Sequence, residues 1–341
     1  MLAWRLHRLG EPVDVLQLDD IEAPKPGPGQ VLIDVAAAAL NFPDVLLCRG
    51  QYQERPELPF SPGLELAGTV HAVGEGVSAL RPGERVVALP LRPTGGLGQQ
   101  VLAAEASTFP IPDTMDDAAG AALIVTYQTG WFALHRRAAL QTHETLLVHA
   151  GAGGVGSAAI QLGLALGSRV IATAGGPEKV AVCERLGAHH VIDYLAGDFV
   201  DEVKALTGGR GADVIYDPVG GDVFDRSRKC IAWEGRLLVI GFTSGRIADL
   251  PTNHALLKNY SVVGLHWGAY QRHNPALIHH CHAELMALHA RGAIAPLIQR
   301  EAEFADAPAA IASLATRGTW GKVIVRPPQS VLARESDTRG A

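Results

Sequence analysis

Short apolar runs broken by glycine and proline fill the first third of the chain, and apolar runs alternating with helical patterns fill most of the rest. The sharpest pattern begins at Leu146-Leu147-Val148. This apolar run ends in Gly151-x-Gly153-x-x-Gly156, and an alanine- and leucine-rich helical stretch follows from Ser157 to about Leu166. The order is strand, glycine turn, helix. Strands are predicted at about 145–149, 169–174, 190–193, 213–217, 236–241 and 260–265, with helical patterns separating the first five. That alternation predicts an α/β fold with a doubly wound parallel sheet of strand order 3-2-1-4-5-6. Ahead of it, Val31–Ala36, Gly68–Gly74 and the turn Arg81-Pro82-Gly83 running into Val86-Val87-Ala88 predict a compact β-rich domain. Ala118 to Arg136 reads as one long helix linking the two domains, and Pro275 to Ala290 as another. Pro327 to Ala341 is polar and mixed, a tail expected to fray.

The glycine turn has a chemistry. Gly151 permits a tight turn, Gly153 lets a pyrophosphate approach the backbone, and Gly156 lets the helix pack closely on the strand. Gly154 and Val155 complete the turn into a helix whose N-terminus offers free N–H groups and a positive dipole end to phosphates. With a strand before the turn and Val170–Ala174 after it, this reads as a Rossmann dinucleotide-binding domain. NAD-binding folds usually end the second strand on an acid that holds the ribose 2′-hydroxyl. Here that place is Thr173-Ala174-Gly175-Gly176, with no carboxylate to repel a 2′-phosphate. Gly175 leaves room and Lys179 follows as a counter-charge, so the predicted cofactor is NADPH.

Composition narrows the class. The 341 residues suit about two domains, and 48% hydrophobic with 19% charged residues supplies substantial cores. A formal charge of −6 argues against a nucleic-acid binder or a binder of anionic membranes. Four cysteines lie far apart with no C-x-x-C, as in a reduced, intracellular, cytoplasmic protein. No signal-peptide core opens the chain, and no apolar run reaches membrane-spanning length. His279 and His282 share a helix face, but a metal site needs three or four convergent ligands, so none is predicted there.

Asn41-Phe42-Pro43-Asp44, Gly50-Gln51-Tyr52, Pro62-Gly63-Leu64-Glu65-Leu66-Ala67-Gly68 and Arg81-Pro82-Gly83-Glu84-Arg85-Val86 precede the glycine turn in that order. Together they resemble the medium-chain dehydrogenase/reductase superfamily, and within it the zinc-free quinone oxidoreductase, or zeta-crystallin-like, branch. The likeness runs to about Val325, where Gly318–Val325 resembles the family's closing strand. Zinc alcohol dehydrogenases of the superfamily carry Gly-His-Glu where this chain has Gly63-Leu64-Glu65, and leucine cannot ligate a metal. Their cysteine ligand is also missing from 41–44, and the loop 91–98 lacks their four structural cysteines. The resemblance implies a β-rich GroES-like catalytic domain over 1–121 and 267–341 around a Rossmann domain over 122–266. It implies that Lys179 and Tyr194 contact the 2′-phosphate, and that Val219, Gly241, Phe242 and the backbone of Leu265, His266 and Trp267 flank the nicotinamide half. It also implies a homodimer formed through the edge strand near Tyr260–Gly264.

Without zinc, another group must polarise the hydride acceptor. A quinone delocalises negative charge in its ring, and an α,β-unsaturated carbonyl becomes an enolate; both need a hydrogen-bond donor at the developing oxyanion. The resemblance implies Asn41 and Tyr52 as the candidate catalytic residues, since they match polar cleft residues of the similar enzymes, and Thr126 on the linking helix is a third candidate. The reading is a zinc-independent NADPH:quinone or enone reductase. Two alternatives stay open. One is a reductase of 2-enoyl-CoA-type thioesters, with Arg49, Arg55, Arg246 and Arg272 as possible phosphate contacts. The other is a non-catalytic NADPH-binding protein with a structural or sensing role.

Overall fold

In the computed structural model, which describes residues 1–328, the chain forms two units: Met1–Val125 with the segment from Leu297 onward, and Thr126–Pro296. The tail expected to fray lies, from residue 329, outside the described residues.

In the first unit, β1 (Leu2–Leu6) and β2 (Leu16–Asp20) form an antiparallel pair. β3 (Gln30–Ala39) is the hub of the main sheet, pairing antiparallel with both β4 (Glu65–Val73) and β6 (Gln100–Pro110). β5 (Arg85–Pro90) joins β4 to β6, so the four strands close on themselves. Closure leaves no open edge among these four. Val31, Ile33, Val35, Leu66, Val70, Val86 and Val101 fill the interior. β3, β4 and β5 correspond to the three runs expected in this part of the chain, whereas β1, β2 and β6 are additional to that expectation.

In the second unit, β7 (Thr145–Val148), β8 (Arg169–Ala174), β9 (His190–Asp193), β10 (Ala212–Asp217), β11 (Ile231–Val239) and β12 (Ser261–Gly264) form one parallel sheet. The order β12-β11-β10-β7-β8-β9 is the predicted 3-2-1-4-5-6 read from its far edge. β7, buried along its whole length, feeds the glycine turn and the helix Gly154–Ala165. Gly163 lets that helix lie against the sheet, since a Cβ there would be 2.6 Å from Leu146 Cδ2. β12 ends the sheet and is half exposed.

The chain then returns to the first unit, where β13 (Ile298–Glu303) runs parallel to β14 (Lys322–Arg326), and β14 pairs with β3.

Two expectations need correction. The segment 267–296, assigned by resemblance to the β-rich domain, belongs to the parallel-sheet unit. Its helix Pro275–Ala290 buries Ile278, Cys281, Leu285 and Leu288. Glu284 accepts a hydrogen bond from Trp131 Nε1 at 2.6 Å, and Gln161 clamps Ala295 through both its N–H and its carbonyl. The expected long helix at 118–136 is helical but uneven. α-Turns at Asp117–Ala121 and Thr129–Trp131 alternate with π-turns at Ile124–Gln128 and Phe132–Arg137. Nearly every residue from Gly120 to Leu134 is buried, so no polar stripe fixes a single 3.6-residue period.

Candidate active site

The glycine turn is built as an anion cradle. Ser157 N–H, bonded to Gly153 O at 2.8 Å, is the first closed into the helix. The N–H groups of Gly154, Val155 and Gly156 come before it, at the positive end of a twelve-residue helix. The glycines divide their roles by contact. A Cβ on Gly156 would fall 2.2 Å from Ala150 O, and one on Gly151 would lie 2.9 Å from Cys183 Sγ. On Gly153 the only neighbour is Ala150 O at 3.3 Å, so its outer side is open to a ligand. The left-handed residue of the turn is Ala150, at φ 49°, rather than Gly151. Gly151 serves close packing instead.

Tyr194 and Gly175 meet at the ends of β9 and β8, where a Cβ on Gly175 would lie 2.5 Å from the Tyr194 hydroxyl oxygen. The bare glycine thus lets the phenol rest against the backbone, with Tyr194 as a whole 45% exposed. Asp193 holds this corner by accepting from Gly176 N–H and Leu195 N–H, both at 3.0 Å. Lys179 is half-buried in the first turn of the helix Pro177–Arg185. The loops after β10 and β11 interlock: Ser244 N–H bonds Val219 O, Thr243 N–H bonds Pro218 O, and Asp217 Oδ1 accepts from the N–H groups of Val219 and Gly220. Phe242 stands 44% exposed beside Gly220, so it is not a core residue. Past β12, Leu265 N–H bonds Val239 O, His266 is exposed, and Trp267 Nε1 donates to Gln128 Oε1 at 3.1 Å. All these residues lie at the carboxyl edge of the sheet, where ligands bind in such folds.

The candidate catalytic residues divide between the units. Thr126 is a buried residue of the parallel-sheet unit. Asn41 and Tyr52 flank the short helix Phe42–Cys48 of the other. Asn41 sits in a buried network absent from the sequence expectation. Its Nδ2 donates to Ala39 O at 3.1 Å and Glu65 Oε1 at 2.9 Å, while its Oδ1 accepts from Lys322 Nζ at 2.6 Å. Lys322 also donates to Glu65 Oε1 at 2.8 Å, and Val125 N–H caps Glu65 Oε2. Both amide hydrogens of Asn41 are thereby engaged, so it can serve an acceptor only by giving one up. Asp44 accepts from Asn41 N–H and Gly63 N–H, and burial holds its carboxyl above the usual range. Tyr52 differs from Asn41. Its hydroxyl has no hydrogen-bond partner among the described residues, and burial pushes its pKa up to about 12, so it is a neutral donor.

An alcohol dehydrogenase GroES-like domain model matches residues 27–113, and a zinc-binding dehydrogenase model matches 154–282. The quinone oxidoreductase-like protein 2 homolog of Nematostella vectensis is 37% identical over 325 residues, covering 95% of this chain and 88% of that one. The chain belongs to the quinone oxidoreductase branch of the medium-chain dehydrogenase/reductase superfamily. Solved quinone oxidoreductases match throughout. One from Pseudomonas syringae superposes with TM-score 0.89 at 32% identity, over 96% of this chain and 99% of that chain. The Escherichia coli quinone oxidoreductase complexed with NADPH gives 0.89 at 29%, over 96% and 100%.

Among the described residues no group of three or more His, Cys, Asp or Glu could hold a metal ion. Two of the four arginines considered for thioester phosphates are engaged elsewhere. Arg49 pairs bidentately with Glu11, and Arg246 pairs with Asp222 and Asp225. No helix of the described residues is long and apolar enough to cross a membrane.

Proposed function

We propose that this chain is an NADPH-dependent reductase that passes a hydride to a quinone or an α,β-unsaturated carbonyl without zinc. The observation that carries the reading is the pairing of a phosphate cradle at Gly153–Gly156 with an acid-free second-strand end at Gly175. The open face of Gly153 and three free N–H groups fit a pyrophosphate. Gly175, Tyr194 and Lys179 fit the 2′-phosphate, and Val219, Gly241, Phe242 and the Leu265–Trp267 backbone fit the nicotinamide half. When bound, NADPH supplies the hydride. Tyr52 donates its free hydroxyl to the acceptor oxygen as negative charge builds there. Asn41, fixed by Lys322 and Glu65, holds the start of the helix that precedes Tyr52. Water supplies the final proton. The half-exposed β12 edge supports pairing with a second copy, and we expect a homodimer.

The test is NADPH oxidation by 1,4-naphthoquinone in wild-type protein and Tyr52→Phe. Loss of one oxyanion donor lowers kcat about 100-fold or more in well-studied cases; because Tyr52 is half-buried and partly wet, about 10- to 100-fold is expected here, with NADPH affinity intact. An unchanged kcat removes Tyr52 from the mechanism.

A further inference from the structure

Arg92 brings more positive charge to its surroundings than the fold uses. It lies in the short loop 91–98, which is clamped against Ser61–Gly63 by Ser61 N–H to Pro93 O at 2.9 Å, Gly96 N–H to Gly63 O at 3.0 Å and Leu97 N–H to Pro62 O at 3.2 Å. The clamp has no slack, since a Cβ on Gly95 would fall 2.2 Å from Pro62 O. The guanidinium lies over the Phe60 ring, 5.2 Å from its centroid, and donates to Ser61 O at 2.5 Å. That is its only hydrogen bond among the described residues, and it forms no ion pair there. The charges that act on it are those of Asp44 and Glu54. Asp44 already accepts from Asn41 and Gly63, and Glu54 is exposed. A guanidinium has five N–H donors in a rigid fork, so most of them lack a protein acceptor although the side chain is half-buried. A half-buried charge in that condition leaves its remaining donors to water or to a ligand. Tyr52, with its free hydroxyl, packs on the same apolar cluster as Phe60.

We infer that Arg92 is a specificity-determining residue that receives a carboxylate on the acceptor, next to the carbonyl whose oxygen Tyr52 polarises. The planar fork matches a carboxylate in a bidentate manner, and the rigid loop holds it ready. The acceptor class is then a quinone or enone bearing an acid group beside its reducible system. This rests on the reductase reading for what happens next, but the binding step stands without it. The competing role for Arg92 is an internal counter-charge to Asp44, which predicts no ligand preference.

The experiment is calorimetric titration of the full-length protein, saturated with NADP⁺, with 2-naphthoate and with 2-naphthamide, its neutral counterpart of the same shape. Wild-type protein should bind the acid at least about tenfold tighter than the amide, which corresponds to about 1.4 kcal/mol. Arg92→Met should abolish the difference. Arg92→Lys, which keeps the charge but loses the fork, should retain only part of it. If Arg92→Met fails to fold, Arg92→Gln takes its place, keeping a polar side chain without charge. Equal affinity for acid and amide in the wild type, failure to bind the acid, or a preference that survives removal of the charge overturns the assignment. Turnover of uncharged quinones alongside any of these results would leave the reductase reading standing and discard Arg92 alone.

Discussion

Lys322→Met probes the network that organises the β-rich unit. The Lys322 ammonium makes two charge-assisted hydrogen bonds, 2.6 Å to Asn41 Oδ1 and 2.8 Å to Glu65 Oε1. The two charged side chains are 4% and 0% exposed, so water does not replace either partner. Methionine keeps most of the stem's volume, and the cavity contribution is small. What remains is a buried Glu65 carboxylate with only the Asn41 amide and Val125 N–H to hold it. Removing one partner of such a pair costs about 3–5 kcal/mol. Urea unfolding should show that loss for Lys322→Met. The double variant Lys322→Met/Glu65→Gln carries no buried charge, and should be less destabilised than the two single losses added together by about 2 kcal/mol. A single-variant loss below about 1 kcal/mol, or simple additivity, would refute the account of a mutually dependent buried triad.

Three further outcomes follow from the other unit. His149 is buried between Thr173 Oγ1 at 3.0 Å and Ser227 Oγ at 2.8 Å, and desolvation pushes its pKa down from 6.5 to about 3. A depressed folded-state pKa means the unfolded chain binds the proton first, so stability falls as pH drops below about 6.5; by about pH 5 this amounts to about 2 kcal/mol. His149→Gln should flatten that part of the stability–pH curve, and parallel curves for the two proteins would contradict it. Gly156→Ala forces a Cβ to within 2.2 Å of a backbone oxygen and should lower the thermal midpoint, whereas Gly153→Ala, with 3.3 Å of clearance, should leave the midpoint near wild type and weaken NADPH binding by about tenfold or more. Equal effects of the two alanines on stability would dismiss this division of roles.

The parallel sheet was legible because β7, β8 and β10 are short apolar runs set between glycine turns and helical patterns. β11 was read five residues short: it begins at Ile231, and the chain crosses Glu234 at φ 58° before Gly235, shifting its register against β10. Gly235 looked like a boundary but is a kink inside a strand. The glycine cradle was legible because each glycine stands in for a missing Cβ at a fixed offset. Lys322 was not, since its partners lie 281 and 257 residues away and no local pattern records such a pairing. Arg92 was passed over for a related reason. In sequence it is one cation in a loop, and only the folded loop shows that it makes a single hydrogen bond and no ion pair among the described residues. Helix periodicity likewise failed at 124–137, where burial on all sides hides the π-turns.

The central claim is tested most directly by following NADPH absorbance while the purified protein is offered ortho- and para-quinones, simple enones and crotonyl-CoA, with NADH run in parallel. Faster turnover of quinones or enones with NADPH than with NADH, with crotonyl-CoA a poor acceptor, is the predicted result. Preference for the thioester, preference for NADH, or tight NADPH binding with no turnover of any acceptor would contradict it.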